Sequence, residues 1–253
     1  MAGPRLIARL DVKGSDLIKG IHLEGVRKVG NPNEFALRYY ENGIDEIIYI
    51  DSVASLYGRN NLSQIVQETV ERIFIPITVG GGVRSVEDAR HILTVGADKI
   101  AVNTEATRRP ELIKEIAETF GSQCMVLSIQ ARQAGPGKWQ AFRDLGRDAT
   151  GLDVVEWAVR GQDLGAGEIL LTSVDREGTC SGFDIDLIRT VAEAVRIPVI
   201  ASGGMGSTRH MLDAFQLGKA DAIAMAHVLH FEKLDSPTLR ASARDAGIPV
   251  RPF

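Results

Sequence analysis

The sequence predicts a (β/α)8 barrel, formed by one domain over residues 1–253. Eight short apolar runs rich in β-branched residues alternate with amphipathic segments from end to end, which indicates a parallel sheet. A length of 253 residues is common for a single closed barrel of this kind. The two halves of the chain also resemble each other. A doubly wound open sheet is the alternative, because it has the same alternation of strands and helices.

The predicted strands lie at residues 6–11, 46–51, 76–80, 98–103, 125–130, 168–173, 198–203 and 221–226. Helical segments separate them, among them NPNEFALRYYENG, SVEDARHILTVG, PELIKEIAETFG and TGLDVVEWAVRGQDLG. Several of these segments end at a glycine, the residue that most often terminates a helix.

An internal repeat predicts two half-barrels, at about residues 1–122 and 123–253. IPITVGGG begins at Ile75 and IPVIASGG at Ile197, 122 residues later, and the same offset relates GIDEI at Gly43 to GAGEI at Gly165. Aligning the first strand with the fifth places Asp11 opposite Gln130. A carboxylate in the first half therefore corresponds to a neutral amide in the second.

Composition excludes several classes of function. A net charge of −4 argues against nucleic acid or an anionic membrane as the main partner, since both require clustered Lys and Arg. The N-terminal segment carries charged residues unlike a signal peptide, and no apolar run is long enough to cross a membrane. Cys124 and Cys180 lack the spacing of metal ligands or of a disulfide framework. We expect a cytoplasmic protein with no metal and no cofactor.

Reacting groups in such barrels lie at the carboxyl ends of the strands, around the barrel mouth. The polar residues expected there are Asp11, Asp51, Asn103, Gln130, Thr172, Ser173 and Ser202. Asp11 could transfer protons, and Lys13 and Lys19 are predicted to lie on a mobile Gly-rich loop that clamps an anion. Asp175 and His227 are further candidates for substrate contacts. The alternative is that Asp11 only caps a turn and that the lysines are solvated.

Two glycine turns predict two phosphate sites. Gly81 and Gly82 precede a helix that starts near Ser85, and Gly203 and Gly204 precede one near Ser207. Such turns present backbone N–H groups that favour phosphate, although each could also be a tight turn that binds nothing. Asn103 and Thr104 are expected at the first site, and the turn after Ala226 at the second. Matching turns in two half-barrels point to an elongated substrate with a phosphate at each end.

The opposite, bottom opening of the barrel is predicted to carry four charges. Side chains two residues apart on a strand share a face, so counting back from the mouth gives the inward-facing residues. This count places Arg5, Glu46, Lys99 and Glu168 at the bottom opening and Arg9 inside the barrel. A buried Arg9 requires an acidic partner.

The segments LDVKG…IKG, GNPNEFA, IPITVGGGVRSVEDA, GADKIAVNT, GAGEILLTSVDREGT and IPVIASGGMGS together resemble the HisF family, the cyclase subunits of imidazole glycerol phosphate synthase. The resemblance implies a glutaminase (HisH-like) partner on the bottom face and ammonia that passes through the barrel. It also implies a bisphosphate substrate at the mouth, Asp11 as a catalytic residue, and Arg5, Glu46, Lys99 and Glu168 as the ammonia gate.

Three positions depart from the family pattern. Gln130 replaces a second catalytic aspartate, Arg9 replaces a cysteine, and His227 replaces a phosphate-binding serine. An amide cannot exchange a proton at neutral pH. These departures led us to expect first a divergent synthase that delivers ammonia to another phosphorylated or nucleotide-sugar acceptor, forming an amidine. The alternatives are the histidine-pathway cyclase itself and a non-catalytic ammonia conduit or phospholigand-binding barrel.

Overall fold

A computed structural model describes residues 3–52 and 62–251 of the chain. Its strands are β1 (Arg5–Lys13), β2 (Asp16–Ile21), β3 (Glu24–Gly30), β4 (Glu46–Asp51), β5 (Ile77–Gly80), β6 (Lys99–Val102), β7 (Met125–Gly135), β8 (Lys138–Arg143), β9 (Asp148–Asp153), β10 (Glu168–Ser173), β11 (Val199–Ser202) and β12 (Ala222–Met225). Its helices are α1 (Pro32–Glu41), α2 (Leu62–Val70), α3 (Val86–Thr94), α4 (Thr104–Arg108), α5 (Glu111–Phe120), α6 (Val154–Asp163), α7 (Ile185–Ala194), α8 (Thr208–Gln216), α9 (His227–His230) and α10 (Ser236–Asp245).

Eight parallel strands form a closed barrel. Its order is β1, β4, β5, β6, β7, β10, β11 and β12, and β12 pairs with β1 to close the ring. The predicted (β/α)8 barrel is thereby confirmed and the open sheet is excluded. Each predicted strand coincides with one of these eight, although β7 continues beyond its predicted end to Gly135.

The core has two layers because both faces of each barrel strand are covered. Large apolar side chains such as Leu6, Leu10 and Tyr49 pack between the barrel and the helices. A smaller cluster fills the barrel interior: Ile7, Ile48, Ala101, Val126, Leu170, Ile200, Ala222 and Ala224. Ile7 lies between Arg5 and Arg9 in alternation, and Ile48 lies two residues after Glu46, so this cluster agrees with the strand parity that placed those charged residues inside the barrel.

Antiparallel hairpins extend the sheet beyond the mouth at two barrel strands. β1 continues into β2 and β3, and β7 continues into β8 and β9. The prediction that Lys19 lies on a mobile loop was wrong, because Lys19 lies in β2 and is buried. The helix predicted from Thr150 begins only at Val154, since residues 148–153 pair with β8.

Within residues 3–52 and 62–251, no helix is long and apolar enough to span a membrane. The longest of the helices named above contain ten residues, about half of the length that a bilayer requires.

Candidate active site

Asp11 and Gln130 lie on opposite sides of the barrel mouth. β1 and β7 are four strands apart in either direction around the eight-stranded ring. Both residues belong to the inward-facing sets of their strands, and both are largely buried, at 6% and 9% exposure. The strand order thus places the carboxylate and the amide across the mouth from each other, as the repeat suggested.

Arg9 forms a buried ion pair with Asp11. Its Nε donates to Asp11 Oδ1 at 3.0 Å, and its Nη1 donates to Thr172 Oγ1 at 3.0 Å and to Ser202 Oγ at 3.1 Å. Burial lowers the pKa of Arg9, but the charges of Asp11 and Glu177 outweigh it and raise the pKa above its ordinary value. The guanidinium is therefore cationic at every physiological pH, and it links β1 to β10 and β11.

Glu177 is a buried acid at this site that the sequence reasoning missed. It is 3% exposed and forms an ion pair with Lys19. Burial raises its pKa, but Lys19 and Arg9 dominate and keep the pKa below its ordinary value. Its sequence signal is its place in the segment SVDREGT, which also contains the candidate Asp175.

Asp175, predicted as a candidate for substrate contact, makes a hydrogen bond to the backbone in this structure. Its side chain is exposed, and Oδ2 accepts a hydrogen bond from the backbone N of Gln133 at 2.8 Å. The residue thus ties the loop after β10 to the outer part of β7. Aspartate is common in loops because its side chain can accept hydrogen bonds from backbone N–H groups in this way.

The two glycine turns follow strands on opposite sides of the barrel. β5 and β11, which precede them, are also four strands apart around the ring. Gly81 has φ +102°, and a Cβ there would lie 2.4 Å from the backbone oxygen of Asp51. At Gly203, with φ +94°, a Cβ would lie 2.6 Å from the backbone oxygen of Ser173. Only glycine fits either position, because both the backbone angle and the close approach exclude a side chain.

Each glycine turn leads into a capped helix. Ser85 accepts a hydrogen bond from Asp88 N at the start of α3, and Ser207 accepts one from His210 N at the start of α8. These caps fix the entry of the chain into both helices. The predicted helix starts were therefore correct.

One cavity brings together the four residues predicted for the first phosphate site, Gly81, Gly82, Asn103 and Thr104, with Asp51 and Gln130 of the predicted mouth. Within it, the Asn103 amide nitrogen donates to the backbone oxygens of Ser128 at 2.9 Å and of Phe142 at 3.2 Å. Asn103 therefore joins α4 to β7 and β8. Arg84 and Arg108 also line this cavity and supply positive charge that the sequence reasoning did not assign.

The second predicted phosphate site has a different electrostatic environment. A Cβ on Gly203 would lie 3.3 Å from Glu177 Oε2, so a carboxylate adjoins this turn. His227 is half-buried, with its ring 4.6 Å from that of Phe231. Burial first, and then the nearby Lys233 and Lys19, lower the pKa of His227, so its ring is neutral at neutral pH. The cations that act on the carboxylate beside this turn are Lys19, which pairs with Glu177, and Arg9.

The four charges predicted for the bottom opening form an alternating ring. Glu46 accepts from Arg5 at 2.7 Å and from Lys99 at 3.1 Å. Glu168 also pairs with both, and its contact with Lys99 is 2.9 Å. Each acid thus bridges the two bases. Burial tends to lower the pKa of Arg5, but the two carboxylates raise it above its ordinary value, so the ring remains charged.

Among the residues that the structure describes, no three His, Cys, Asp or Glu side chains are arranged to hold a metal ion. Cys124 and Cys180 are both free thiols and partly exposed. In Cys124, burial and then the neighbouring Asp98 raise the pKa of the thiol, which favours its protonated form.

Comparison with known proteins identifies a family and a curated relative to which the chain is similar. The family described as "Histidine biosynthesis protein" matches residues 5–235. A curated protein of Legionella pneumophila, "Imidazole glycerol phosphate synthase subunit HisF", is 63% identical over 206 residues, which cover 81% of this chain and 97% of that protein.

Proposed function

Since the chain belongs to the histidine biosynthesis protein family and, within it, to the HisF subunits of imidazole glycerol phosphate synthase, we propose that it is the cyclase-type subunit of such a synthase. In this proposal a HisH-like glutaminase supplies ammonia at the bottom face, and the barrel uses it on a phosphorylated substrate at the mouth. The observation that carries the proposal is the geometry of one mouth, where Asp11 and Gln130 face each other between two opposed glycine turns.

The family relation favours the histidine-pathway reaction over the delivery of ammonia to another acceptor, which was our first expectation from the sequence. The relative's identity extends over nearly its whole length. In the histidine-pathway reaction, ammonia cleaves and cyclises a ribulosyl aminoimidazole carboxamide bisphosphate. The two glycine turns suit its two phosphates. A cytoplasmic location agrees with two thiols that remain unpaired.

Asp11 is the residue we assign to proton transfer. Arg9 holds the Asp11 carboxylate by an ionic hydrogen bond and so fixes its orientation at the mouth. Gln130 can position a substrate group by hydrogen bonds but cannot give or take a proton at neutral pH. Proton transfers on the β7 side must therefore use the substrate itself or water.

The entry of ammonia is assigned to the barrel axis. The bottom ring of Arg5, Glu46, Lys99 and Glu168 is polar and can exchange hydrogen bonds with ammonia. Above it, the interior is lined by apolar side chains such as Ile7 and Leu170, which do not compete for the ammonia proton or lone pair. Arg9 stands at the upper end of this path, beside Asp11.

A second candidate function is favoured by one observation, the replacement of an acid at the mouth by Gln130 together with the Arg9–Asp11 ion pair. Both features change the proton-transfer groups while the gate and glycine turns are retained. Delivery of ammonia to a different phosphorylated or nucleotide-sugar acceptor, giving an amidine, would need a different set of proton transfers.

The test is turnover of the ribulosyl bisphosphate with ammonium salts, which bypasses any partner. We expect imidazole glycerol phosphate to form and the Asp11→Asn variant to lose at least about a hundredfold in rate, the usual worth of a positioned acid or base. Substrate binding without product, in the presence and absence of glutaminase, would contradict the proposal and leave the second candidate in its place.

A further inference from the structure

The turn formed by residues 144–147, between β8 and β9, lies over the mouth, and we refer to it as the mouth turn. Three successive residues in it have left-handed backbone angles: Asp144 at φ +49°, Leu145 at +61° and Gly146 at +73°. Such angles are uncommon for residues other than glycine and persist only where surrounding contacts enforce them. The contacts of each of the three residues therefore need an explanation.

Asp144 occupies the donors of the first anion cavity. Thr104 Oγ1 donates to Asp144 Oδ1 at 3.1 Å and accepts from Asp144 N at 3.3 Å. Arg108 Nη2 lies 3.5 Å from Asp144 Oδ2. A threonine hydroxyl has one proton to donate, and Asp144 Oδ1 is the nearer of its two acceptors, since Asn103 Oδ1 lies at 3.4 Å. A carboxylate of this chain thus sits where Thr104 and Arg108 would otherwise meet an external anion.

Gln130 fastens the other end of the mouth turn. Its Oε1 accepts a hydrogen bond from Gly146 N at 2.6 Å, and both groups are buried. Between these two attachments, Leu145 lines both the cavity that contains Gly81 and Thr104 and the cavity that contains Asp11 and Lys19. Leu145 therefore separates the two groups of residues that an elongated substrate would have to contact at once.

We propose that the mouth turn is an internal anion mimic that closes the site and that a substrate phosphate displaces. The phosphate takes over Thr104 and Arg108 from Asp144, Gly146 leaves Gln130, and Leu145 withdraws so that the two cavities join. This inference rests on the proposed function for the phosphorylated nature of the ligand. It assigns Asp144 and Arg108 to substrate specificity and gives Gln130 a role as a latch.

In this competition, phosphate binds only molecules whose mouth turn is open. The apparent affinity for phosphate is therefore the intrinsic affinity multiplied by the fraction of open molecules. The direct test compares the Kd of inorganic phosphate, measured by titration calorimetry, between the unmodified protein and Asp144→Asn. Asparagine tolerates the left-handed backbone but removes the competing charge. We expect phosphate to bind about tenfold more tightly to Asp144→Asn. Asp144→Gly, which removes the side chain and also fits the backbone, should bind at least as tightly.

The matched control is Asp148→Asn, the same change on the same hairpin. Asp148 is exposed, and within the described part of the chain its ion pair is a long one of 3.9 Å with Arg143, so its loss should leave the phosphate Kd within about twofold. Equal tightening in Asp148→Asn would overturn the proposal, because it would reflect overall charge alone. Unchanged or weaker binding in Asp144→Asn and Asp144→Gly would also overturn it, because Asp144 would then support the site rather than occupy it.

Hydrogen exchange gives an independent readout of the displacement. The Gly146 amide is protected by Gln130 in the closed turn, so saturating phosphate should accelerate its exchange at least about tenfold. Slower or unchanged exchange with phosphate would contradict the inference. Neither measurement requires turnover, so both can support displacement of the mouth turn even if the histidine-pathway reaction fails. Conversely, that reaction can proceed even if the mouth turn stays fixed.

Discussion

At the scale of single residues, Arg9 shows both what the sequence could predict and what it could not. Strand parity placed its side chain inside the barrel and therefore demanded an acidic partner. The structure identifies that partner as Asp11, two residues along the same face of β1. The hydrogen bonds to Thr172 and Ser202 depend on distant strands, so no local pattern could predict them.

Gln130→Asp tests the proton-transfer role of the β7 position. Asp would restore an ionisable group across the mouth from Asp11, and a positioned acid or base is worth about 10²- to 10⁴-fold in rate. We expect about tenfold to a hundredfold faster ammonia-dependent turnover in this variant, short of the full value because Arg9 and His227 still alter the surroundings. Steady-state kinetics with the bisphosphate and ammonium salts would measure it.

The matched control for that variant is Gln130→Asn, which is as short as aspartate but cannot ionise. It should not accelerate turnover. A similar gain in both variants would mean that loss of the hydrogen bond to Gly146, rather than a restored acid, caused the change.

At the scale of elements, α1 and α9 are joined by a buried contact that should make stability depend on pH. The Tyr39 hydroxyl lies 2.7 Å from His230 Nδ1, and their rings stack at 5.9 Å. Burial, followed by the charge of Lys19, lowers the pKa of His230 from 6.5 to about 3. The folded protein therefore keeps this ring neutral over a range in which the unfolded chain protonates it.

The free energy of unfolding should fall as the pH drops from 6.5 to 3, because the unfolded chain then binds a proton that the folded chain does not. We predict that His230→Phe flattens this dependence, as measured by urea unfolding at several pH values. Tyr39→Phe keeps the histidine and should keep the slope. An equally steep loss of stability in His230→Phe would rule out His230 as its source.

The elements differ in how well the sequence predicted them. The eight barrel strands were found because each is a short, fully buried apolar run. The hairpins β2–β3 and β8–β9 were missed because they lie beyond the barrel core, and their outer strands β3 and β9 contain no buried residue, so the apolar periodicity is weak. The burial of Lys19 was missed for the same reason. Its partner Glu177 comes from the loop after β10, which is distant in the sequence.

At the scale of the whole molecule, the barrel axis passes from a charged ring at the bottom, through an apolar interior, to a polar mouth. The sequence predicted the polar mouth from the carboxyl ends of the strands, and it predicted the charged bottom ring from the alternation of side chains along each strand. The salt bridges among the four ring residues could not be predicted from the sequence, because they depend on the three-dimensional positions of the side chains. We propose that the half-barrels at about 1–122 and 123–253 account for the opposed glycine turns and hairpins.

Lys99→Met should damage this axis at its floor. It would leave Glu46 and Glu168 to share Arg5 alone, and an uncompensated buried acid costs about 1–3 kcal/mol or more. We expect urea unfolding to show a loss of that order, and glutamine-dependent turnover to fall more than ammonia-dependent turnover. Lys99→Arg, which keeps a cation, should be less affected. Equal losses in both assays would show that the ring has no role in the transfer of ammonia.

The most direct test of the central claim follows the nitrogen atom. The barrel and its glutaminase would be given the bisphosphate, glutamine labelled with ¹⁵N in the side-chain amide, and an excess of unlabelled ammonium, and the product would be analysed by mass spectrometry. If ammonia travels through the ring to the mouth, imidazole glycerol phosphate should carry mostly ¹⁵N. Product that carries mainly unlabelled nitrogen, or no product at all, would contradict the account.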